Sequence, residues 1–374
     1  MNNGLLKTGA VILAAGFSSR MGRCKALLDI EGASALRKAS LSMHLAGVGD
    51  LVVVTGCYRE DVELESARYG IRTVFNEHFE KGMFSSVQTG TAAISQDMDA
   101  FFLLPVDIPL IRPATYTALR EAFLQNKNTP VVIPSFRGRM GHPPLISSEL
   151  IPEILEWSGD GGLRALLDRH RKETLILEVP DEGTVLEMDT PEEYEALRSF
   201  AAKSWIPSKT ECLAFLEMAG TPEEVREHCF AVARVVKRLA SHLKNLVPAN
   251  CRLLEAAALL HDMARTRPDH AERAAAIVEK WGFPETADLI RYHMNLPEGE
   301  PLLSNRSLLY LADKLTSGKK ITNLEQKQAS AENRFYGNPP ALEAVSRRMQ
   351  RAGDIAGAFE KCTEKSLDSI LDSL

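Results

Sequence analysis

Short apolar runs alternate with helical patterns over about the first 200 residues of the chain. The apolar runs are AVILAAG (10–16), LVVVTG (51–56), RTVFN (72–76), AFFLLPVD (100–107), TPVVIPSF (129–136) and TLILEV (174–179). Helical spacing is found between them, in SALRKASLSMHLAG, SSVQTGTAAISQ and RPATYTALREAFLQN. Strands that alternate with helices predict βαβ units, and hence an α/β fold with a mostly parallel sheet covered by helices on both faces.

The pattern changes after DTPEEYEALRSFAAK. From about Pro207 onward the sequence has helical periods rich in Ala, Leu, Arg and Glu, and no run that predicts a strand. SWIPSK (204–209) has the character of a linker. We therefore predict two domains, an α/β domain over residues 1–203 and an all-α domain over residues 207–374.

Composition and charge exclude several classes of protein. The 374 residues are 45% hydrophobic and 25% charged with a net charge of −6, so the chain as a whole lacks the basic surface of a nucleic-acid-binding protein. Its 6 cysteines form no CxxC pair, which is typical of reduced thiols in the cytoplasm. The run from Ala10 to Phe17 is too short and wrongly flanked for a signal peptide. No apolar run reaches the ~20 residues of a membrane span. We expect a cytoplasmic protein without a membrane or nucleic-acid partner.

The first apolar run leads directly into a loop rich in glycine and basic residues, VILAAGFSSRMGRCK (11–25). Gly16 and Gly22 let the backbone approach a phosphate closely, while Arg20, Arg23 and Lys25 can neutralise it. Such a loop lies at the carboxyl edge of the sheet, where open α/β sheets bind ligands. Neither a P-loop nor GxGxxG is present. The residues alone leave two readings open, an anion-binding loop and a structural turn with solvated basic side chains.

Six ordered segments resemble one family. LAAGFSSRMGRCK is similar to the signature LAAGxSxRMGxxK of the nucleotidyltransferases related to molybdenum cofactor cytidylyltransferase, the MobA-like NTP transferases. The other segments that resemble the family are NEHFEKGMFSSVQTG (76–90), LLPVDIPLI (103–111), GRMGHPPLI (138–146), SGDGGLRALL (158–167) and EMDTPEEYEAL (187–197). The resemblance covers about 195 residues and implies a Rossmann-like fold.

The resemblance implies that a phosphorylated acceptor attacks the α-phosphate of a nucleoside triphosphate and that pyrophosphate leaves. It implies CTP as the nucleotide, a molybdopterin cofactor as the acceptor, and a molybdoenzyme or its chaperone as a further partner. Such a transfer needs neutralised phosphates and a hard cation such as Mg²⁺ held by carboxylates. The implied catalytic residues are Arg20, Lys25 and Asp107, and the implied ligands of Mg²⁺ are Asp107 and Asp189. The implied nucleotide-binding residues are Leu13, Ala14, Ala15, Gly16, Arg20, Lys25, Ser86 and Asp107, and His142 is the implied acceptor-binding residue.

Several of these residues have structural alternatives. Asp107 has the alternative of a turn or helix N-cap before Pro109, and Asp189 that of an N-cap for the helix PEEYEAL. His142 is equally consistent with a turn histidine. The chain has Glu187 where the family commonly has Asp, which leaves only that residue's part in metal binding open.

The helical half has inward-facing metal-ligand residues. His228 shares a helical face with Val232, Val235 and Leu239, and His261-Asp262 and Asp313 follow apolar positions of two further predicted helices. Buried histidines and carboxylates are unfavourable unless they are paired or bind a cation.

The order His…His-Asp…Asp resembles the HD superfamily of metal-dependent phosphohydrolases over about residues 208–345. The resemblance implies a core ligand set of His228, His261, Asp262 and Asp313, with His270 and His293 completing a two-metal site. Imidazole and carboxylate ligands suit one or two ions of Mn, Fe, Co or Mg. The residues do not identify the phosphoester that is hydrolysed.

We therefore predict a nucleotidyltransferase joined to an HD-type phosphohydrolase. One alternative keeps the fold and changes the acceptor to a sugar, alditol or isoprenoid-precursor phosphate. Another makes the HD half a regulatory nucleotide or metal sensor. A tRNA-terminal nucleotidyltransferase is disfavoured by the acidic balance and by the absence of that family's closely spaced carboxylates.

Overall fold

The structure is a computed structural model and describes residues 6–126, 128–243 and 246–372. The chain divides into two compact units, residues 1–204 and residues 205–374. Unit 1 is an α/β structure and unit 2 is mainly helical, as the sequence predicts. In the described part of the chain, no helix has the length and apolar character needed to cross a membrane.

The sheet of unit 1 contains eight strands, all six predicted ones among them. Its strands are β1 (Thr8–Leu13), β4 (Asp50–Thr55), β5 (Arg72–Phe75), β6 (Ala100–Pro105), β7 (Val131–Phe136), β8 (Arg139–Met140), β9 (Leu145–Ser147) and β10 (Leu175–Glu178). Along the sheet the order is β10-β7-β9-β6-β1-β4-β5, with β8 paired to β7, and a separate small ribbon consists of β2 (Asp29–Ile30) and β3 (Ala33–Ser34). Strand β1 is parallel to both of its neighbours. It pairs with β4 from Gly9 opposite Asp50 and with β6 from Thr8 opposite Ala100.

Among the described residues of unit 1, seven α-helices cover the sheet or follow its strands. They are α1 (Ala35–Leu45), α2 (Arg59–Ala67), α3 (Met83–Ala93), α4 (Pro113–Gln125), α5 (Ile151–Glu156), α6 (Gly162–Arg169) and α7 (Pro191–Ala201). Alternate residues of β1 enter opposite cores: Ala10 and Ile12 pack with residues of α1 and α4, whereas Val11 and Leu13 pack with residues of α3 and α5. Burial on both faces explains why β1 is apolar from Ala10 to Leu13 instead of alternating.

One central strand was not predicted from the sequence. Strand β9 lies between β6 and β7 and is antiparallel to both. It is only three residues long and follows two prolines, so it has neither the length nor the flanking pattern that identifies a strand in a sequence. Its insertion makes the sheet mixed, while the strands that deliver the first candidate site, β1, β4 and β6, remain parallel.

Unit 2 is built from nine helices among its described residues. They are α8 (Lys209–Met218), α9 (Glu223–Leu243), α10 (Cys251–Leu260), α11 (His270–Lys280), α12 (Pro284–Tyr292), α13 (Asn305–Lys314), α14 (Leu324–Arg334), α15 (Pro339–Thr363) and α16 (Leu367–Leu371). Helices α9, α10 and α13 bury their apolar faces almost completely. The packing of these buried apolar faces fixes the positions of the polar residues of the second candidate site.

The expectation of a purely α-helical second half needs one correction. Strands β11 (Thr316–Ser317) and β12 (Lys320–Ile321) form an antiparallel hairpin directly after α13. Gly318, in its turn, has a φ of 55°, a conformation that glycine adopts without strain. Two-residue strands are too short to produce a recognisable alternation in the sequence.

Candidate nucleotide site and candidate metal centre

The loop after β1 is fixed to the neighbouring strands through the main chain. The amide of Ala14 donates to the carbonyl of Val54 at 3.0 Å, and the carbonyl of Ala15 accepts from Cys57 at 3.1 Å. Gly56 makes this approach possible, because a Cβ atom there would lie 2.5 Å from the carbonyl oxygen of Ala15. Gly56 was not identified in the sequence, because its importance depends on a contact with a residue far away in the chain.

Three successive main-chain amides of this loop are available to a ligand. Among the described residues, those of Ala15, Gly16 and Phe17 make no hydrogen bond within the chain. They border a cavity of about 310 Å³ whose lining includes every predicted nucleotide-binding residue, Leu13, Ala14, Ala15, Gly16, Arg20, Lys25, Ser86 and Asp107, together with Asp189. Unpaired amides at the carboxyl edge of a parallel sheet suit the oxygens of a phosphate chain.

Two carboxylates and two cations meet in this cavity. The ammonium group of Lys25 is 2.9 Å from a carboxylate oxygen of Asp107 and also donates to Asp189. The guanidinium of Arg20 contacts the other oxygen of Asp189 at 2.8 Å. Residues far apart in the chain are thereby brought together as a connected set of charges.

The charges shift one another's protonation equilibria. Burial lowers the pKa of Lys25, but the hydrogen bond to Asp189 and the charge of Asp107 more than compensate, so the pKa is raised. The pKa of Asp189 is lowered by its hydrogen bond to Lys25 and, despite partial burial, by the charges of Lys25 and Arg20. Lys25 is therefore cationic and Asp189 anionic at neutral pH.

The alternative reading of Asp189 as a helix cap is wrong. Thr190 caps α7, since its hydroxyl accepts from the amide of Glu193 and the Glu193 carboxylate accepts in return from the amide of Thr190. The carboxylate of Asp189 is left for Lys25 and Arg20. Glu187 is exposed and does not line the cavity.

Asp107 likewise is not a helix cap. Helix α4 begins at Pro113 with Arg112 at its N-cap position, five residues further along the chain. The side chain of Asp107 instead pairs with Lys25, and its main-chain carbonyl accepts from the amide of Met188. This last bond ties the segment that carries Asp107 to the segment that carries Asp189.

Ser86 lies in the first turns of α3 and is 4% exposed. The side-chain amide of Asn76 donates to the hydroxyl of Ser86 at 2.9 Å and to that of Ser85 at 2.8 Å. Asn76 is itself buried and accepts from the amide of His78. Asn76 therefore positions Ser86; its role was not identified in the sequence, although it begins one of the segments that resemble the family.

His142 does not line the cavity that contains the other predicted residues of unit 1. Its amide donates to the carbonyl of Thr184 at 2.8 Å, and its buried Nδ1 atom has no hydrogen-bond partner among the described residues. Burial lowers the pKa of His142, and the charge of Asp107 opposes this shift only in part. The imidazole is thus neutral, with an unsatisfied polar atom.

Unit 2 brings together all six of the predicted metal-ligand residues. His228 lies on α9, His261 and Asp262 follow α10, His270 begins α11, His293 follows α12 and Asp313 lies on α13. His261 and Asp262 are 0% exposed and His293 is 1% exposed. The ring centroids of His228 and His261 are 5.3 Å apart, and those of His261 and His293 are 4.8 Å apart.

Main-chain carbonyls fix the orientation of three of these imidazoles. The Nδ1 atoms of His228, His261 and His293 lie 3.1, 2.8 and 2.7 Å from the carbonyl oxygens of Gly318, Ala258 and Ile290. A carbonyl can only accept, so each Nδ1 donates and each ring turns its Nε2 atom toward the carboxylates. Metal-binding histidines are commonly oriented in this way.

The resulting contacts are unfavourable without a cation. Nε2 of His261 is 3.5 Å from Asp262 Oδ2 and 3.8 Å from Asp313 Oδ1, although all three atoms are acceptors. Among the described residues, the buried Nε2 atom of His261 has no hydrogen-bond partner, and the Nε2 atoms of His270 and His293 lie 3.1 and 3.5 Å from Asp262 Oδ1 without hydrogen-bond geometry. Buried acceptors with no donor are the arrangement that a bound metal ion satisfies.

The ligand atoms form two groups that share one carboxylate. His228, His261 and Asp262 compose the first, and Asp262, His270 and His293 compose the second. Oδ2 of Asp262 faces His261 in the first group, and its Oδ1 lies 3.1 Å from Nε2 of His270 in the second. Each oxygen of Asp262 therefore faces one of the two groups.

The pKa values of His261 and Asp313 favour the protonation states that bind metal. Burial lowers the pKa of His261 to about 4, with the neighbouring carboxylates opposing the shift, so the ring is neutral and able to ligate at pH 7. Although burial favours protonation of Asp313, Lys314 and the nearby histidines lower the pKa of its carboxyl group well below the usual range. Deprotonated oxygens and neutral nitrogens are the forms that bind divalent metals.

A cavity of about 390 Å³ opens onto His228, Asp262 and Asp313. Two basic residues border the ligands directly, because Arg265 pairs with Asp262 and the ammonium of Lys314 lies 2.7 Å from Asp313. Neither was identified in the sequence, where each stands one to three residues from a predicted ligand with no pattern of its own. Cations beside a metal centre favour an anionic ligand.

Two family models match the chain. Residues 10–174 match the MobA-like NTP transferase domain, and residues 225–318 match the HD domain. The first match contains the glycine-rich loop, Ser86, Asp107 and His142, and the second contains all six predicted metal ligands of unit 2.

Curated relatives match over about half of the chain. Nicotine blue oxidoreductase of Paenarthrobacter nicotinovorans is 29% identical over 49% of this chain and 92% of its own length. Molybdenum cofactor cytidylyltransferase of Escherichia coli is 25% identical over 49% of this chain and 92% of its own length. Purine catabolism protein PucB of Bacillus subtilis is 31% identical over 50% of this chain and 94% of its own length. The chain belongs to the MobA-like NTP transferase family through its first half and carries an HD domain in its second half.

Proposed function

We propose that unit 1 transfers a nucleoside monophosphate from CTP to a molybdopterin-type cofactor bearing a phosphate, with release of pyrophosphate. We further propose that unit 2 is a metal-dependent phosphohydrolase. The observation that carries the first proposal is the meeting of Lys25, Asp107 and Asp189 beside three free main-chain amides in one cavity.

The residues present can perform the transfer by binding and orienting phosphates. The amides of Ala15, Gly16 and Phe17 would bind the phosphate chain, and Arg20 and Lys25 would neutralise the charge that develops on pyrophosphate. An oxygen of the acceptor phosphate forms a bond to the α-phosphorus while the bond to the bridging oxygen of pyrophosphate breaks. Because their carboxylate partners hold both cations at the cavity beforehand, little reorganisation accompanies the reaction.

The same carboxylates fit a hard divalent cation. Asp107 and Asp189 each direct an oxygen at the single ammonium of Lys25, which means that they bracket one cationic position. Carboxylate oxygens are the donors that Mg²⁺ takes in proteins, usually together with substrate phosphates. When bound there, Mg²⁺ would neutralise phosphate oxygens and polarise the α-phosphorus.

The choice of CTP and of a molybdopterin acceptor is supported by the similarity to molybdenum cofactor cytidylyltransferase. Ser86, held by Asn76, borders the cavity and is the residue we assign to the nucleotide base or ribose. His142 is assigned to the acceptor, since its buried unsatisfied Nδ1 atom can take a hydrogen bond from a ligand or a water molecule.

The phosphohydrolase assignment rests on the six converging ligands of unit 2. Their unsatisfied Nε2 and carboxylate atoms fit one or two divalent ions of Mn, Fe, Co or Mg. Such ions would supply charge neutralisation and an activated water for attack on a phosphoester. Arg265 and Lys314 would bind the oxygens of the substrate phosphate.

A matrix of nucleotides and acceptors tests the transferase. The purified chain is incubated with Mg²⁺ and one of the nucleotides CTP, GTP, ATP and UTP. Each nucleotide is combined in turn with molybdopterin cofactor, with a sugar, alditol or isoprenoid-precursor phosphate, and with no acceptor. We expect release of pyrophosphate only with CTP and molybdopterin cofactor. Release with another acceptor would identify that compound as the acceptor. If no nucleotide gives acceptor-dependent release of pyrophosphate, the transferase proposal is refuted.

The second activity is tested in the same preparation. Mn²⁺-loaded protein is expected to hydrolyse p-nitrophenyl phosphate, and Asp262→Ala, which removes the shared carboxylate, is expected to abolish both the hydrolysis and the binding of metal. A wild-type protein that binds metal and hydrolyses neither this ester nor a nucleotide would instead favour a sensor.

A further inference from the structure

The metal pocket of unit 2 has a wall that lies outside the matched HD domain. The match ends at residue 318, whereas helices α14 and α15 lie at 324–334 and 339–363. The pocket lining from this later segment is Lys327, Ser330, Ala331, Arg334, Phe335, Val345, Arg348 and Met349. We call this set of eight residues the C-terminal wall. It faces the same cavity as His228, Asp262 and Asp313.

The C-terminal wall carries three cations, whereas the rest of the pocket lining carries both signs of charge, with Glu224, Asp262 and Asp313 among its acidic residues. Among the described residues, no carboxylate lies within ion-pair distance of Lys327, Arg334 or Arg348. Lys327 donates to the main-chain carbonyl of Thr316, and Nε of Arg348 donates to the side chain of Asn295 at 3.1 Å. Arg334 is exposed and Lys327 and Arg348 are partly buried, and cations without a carboxylate partner beside this pocket favour a bound anion.

These cations are additional to those beside the metal ligands. Arg265 and Lys314 are already paired with Asp262 and Asp313, next to the place where the scissile phosphate would bind. The C-terminal wall therefore offers a second subsite for an anion in the same pocket. Arginine suits phosphate there because its planar group can donate two parallel hydrogen bonds.

The pocket also has an apolar part. Val225, Met294, Phe335, Val345 and Met349 contribute to its lining. A volume of about 390 Å³ is in the range of pockets that hold organic ligands. An inorganic anion such as pyrophosphate would leave this apolar surface without a partner, so the substrate has an organic group as well.

We propose that unit 2 hydrolyses an organic phosphoester that carries a second phosphate group, with the second phosphate bound by Lys327, Arg334 and Arg348. The proposal rests on the assignment of unit 2 as a phosphohydrolase. A water oxygen forms a bond to the phosphorus held at the metal ligands and the ester P–O bond breaks. The departing oxygen takes up a proton, which gives inorganic phosphate and a product that keeps the second phosphate.

Substrate preference tests the proposal in the Mn²⁺-loaded full chain. The probes are AMP, adenosine 3′,5′-bisphosphate and inorganic pyrophosphate, and the readout is phosphate release that Asp262→Ala abolishes. We expect kcat/KM for adenosine 3′,5′-bisphosphate to exceed that for AMP and for pyrophosphate by about tenfold or more. Equal values for AMP, or a preference for pyrophosphate, would overturn the proposal.

Paired variants assign the preference to the C-terminal wall. Arg334→Gln and Arg348→Gln are each expected to raise KM for the preferred doubly phosphorylated probe by about tenfold and to lower its advantage over AMP, with kcat little changed. The matched control is Arg347→Gln, the adjacent residue of α15, whose side chain is 74% exposed and does not line the pocket. An Arg347→Gln effect as large as that of Arg348→Gln would contradict the assignment.

An inhibition measurement gives a second readout. Methylenebisphosphonate is expected to inhibit hydrolysis of p-nitrophenyl phosphate more strongly than methylphosphonate at the same free Mn²⁺, and Arg348→Gln should reduce that difference. Inhibition of equal strength by both compounds would overturn the second subsite. Failure of the chain to hydrolyse any probe, p-nitrophenyl phosphate included, would instead refute the phosphohydrolase itself.

Discussion

Lys25 has a carboxylate on each side, and this arrangement makes it the most informative residue of unit 1. Its ammonium lies between Asp107 and Asp189, which come from segments more than 80 residues away. Lys25→Met keeps the bulk of the side chain and removes the charge, so the two carboxylates then face each other and the phosphates lose a cation. We expect kcat/KM for nucleotide transfer to fall by about 10²–10³-fold.

Steady-state rates of pyrophosphate release test this expectation. Lys7→Met is the matched control, because Lys7 forms an exposed ion pair with Asp97 away from the cavity. Transfer by Lys25→Met at the wild-type rate would show that Lys25 is only structural.

Gly56 tests whether the close packing behind the loop matters. A methyl group at this position would meet the carbonyl oxygen of Ala15 at 2.5 Å, whereas a methyl group at Gly16 would have nothing within 4 Å. Gly56→Ala is therefore expected to lower the free energy of unfolding by about 1–3 kcal/mol. Gly16→Ala should leave it within about 0.5 kcal/mol of wild type. Denaturant unfolding of both variants measures the difference, and equal stabilities would argue against the contact.

At the scale of elements, the cap of α7 positions a charged residue as well as a helix. Thr190 and Glu193 form a reciprocal capping box, and Asp189 immediately precedes it. Thr190→Ala is expected to cost about 1 kcal/mol of stability and to raise KM for the nucleotide, because Asp189 loses its fixed position. Thr190→Ser keeps the hydroxyl and serves as the control. If the two variants have the same KM, the cap does not contribute to the site.

The proposed metal ligands of unit 2 are expected to make its stability dependent on metal and on pH. In metal-free protein, burial holds the pKa of His261 at about 4, compared with 6.5 for an unperturbed imidazole. The unfolded chain therefore binds a proton between these pH values that the folded chain does not bind. The stability of unit 2 should consequently fall as the pH is lowered from 6.5 to 4.

Thermal unfolding of EDTA-treated protein across this pH range measures the effect. His261→Gln should flatten the slope, and Mn²⁺ at pH 7 should raise the melting temperature of the wild type more than that of the variant. The lowered pKa of Asp313 contributes only in a more acidic range, below the usual value of 3.8, so the two effects separate. A melting temperature that does not respond to Mn²⁺ would contradict a metal centre.

Local patterns predicted most of the elements. All six strands read from apolar runs are present, and the three helices named between them coincide with α1, α3 and α4 within a few residues at their ends. Strand β9 and the hairpin β11–β12 were missed because two or three residues are too few for a period to be recognised. Both are stabilised by neighbouring strands or helices that are not adjacent in the sequence.

At the scale of the whole molecule, the sequence predicted two units of different character, and the structure has two compact units divided at residues 204 and 205. Four of the six proposed metal ligands of unit 2, His228, His261, Asp262 and Asp313, were predicted from apolar positions with helical spacing, whereas His270 and His293 were implied by the resemblance to the HD superfamily. The C-terminal wall was not predicted, because Lys327, Arg334 and Arg348 have the spacing of ordinary solvated helix positions. Only the packing of α14 and α15 against the metal pocket identifies them.

The identity of the product formed from CTP decides whether unit 1 is the proposed transferase. The full chain, with Mg²⁺, CTP and purified molybdopterin cofactor, is followed by mass spectrometry for the cytidine dinucleotide and by a coupled assay for pyrophosphate. We expect equal amounts of dinucleotide and pyrophosphate with the wild type and with Asp262→Ala, and much smaller amounts of both with Lys25→Met. The absence of a dinucleotide with the wild type, for CTP and for every other nucleotide, would contradict the proposal.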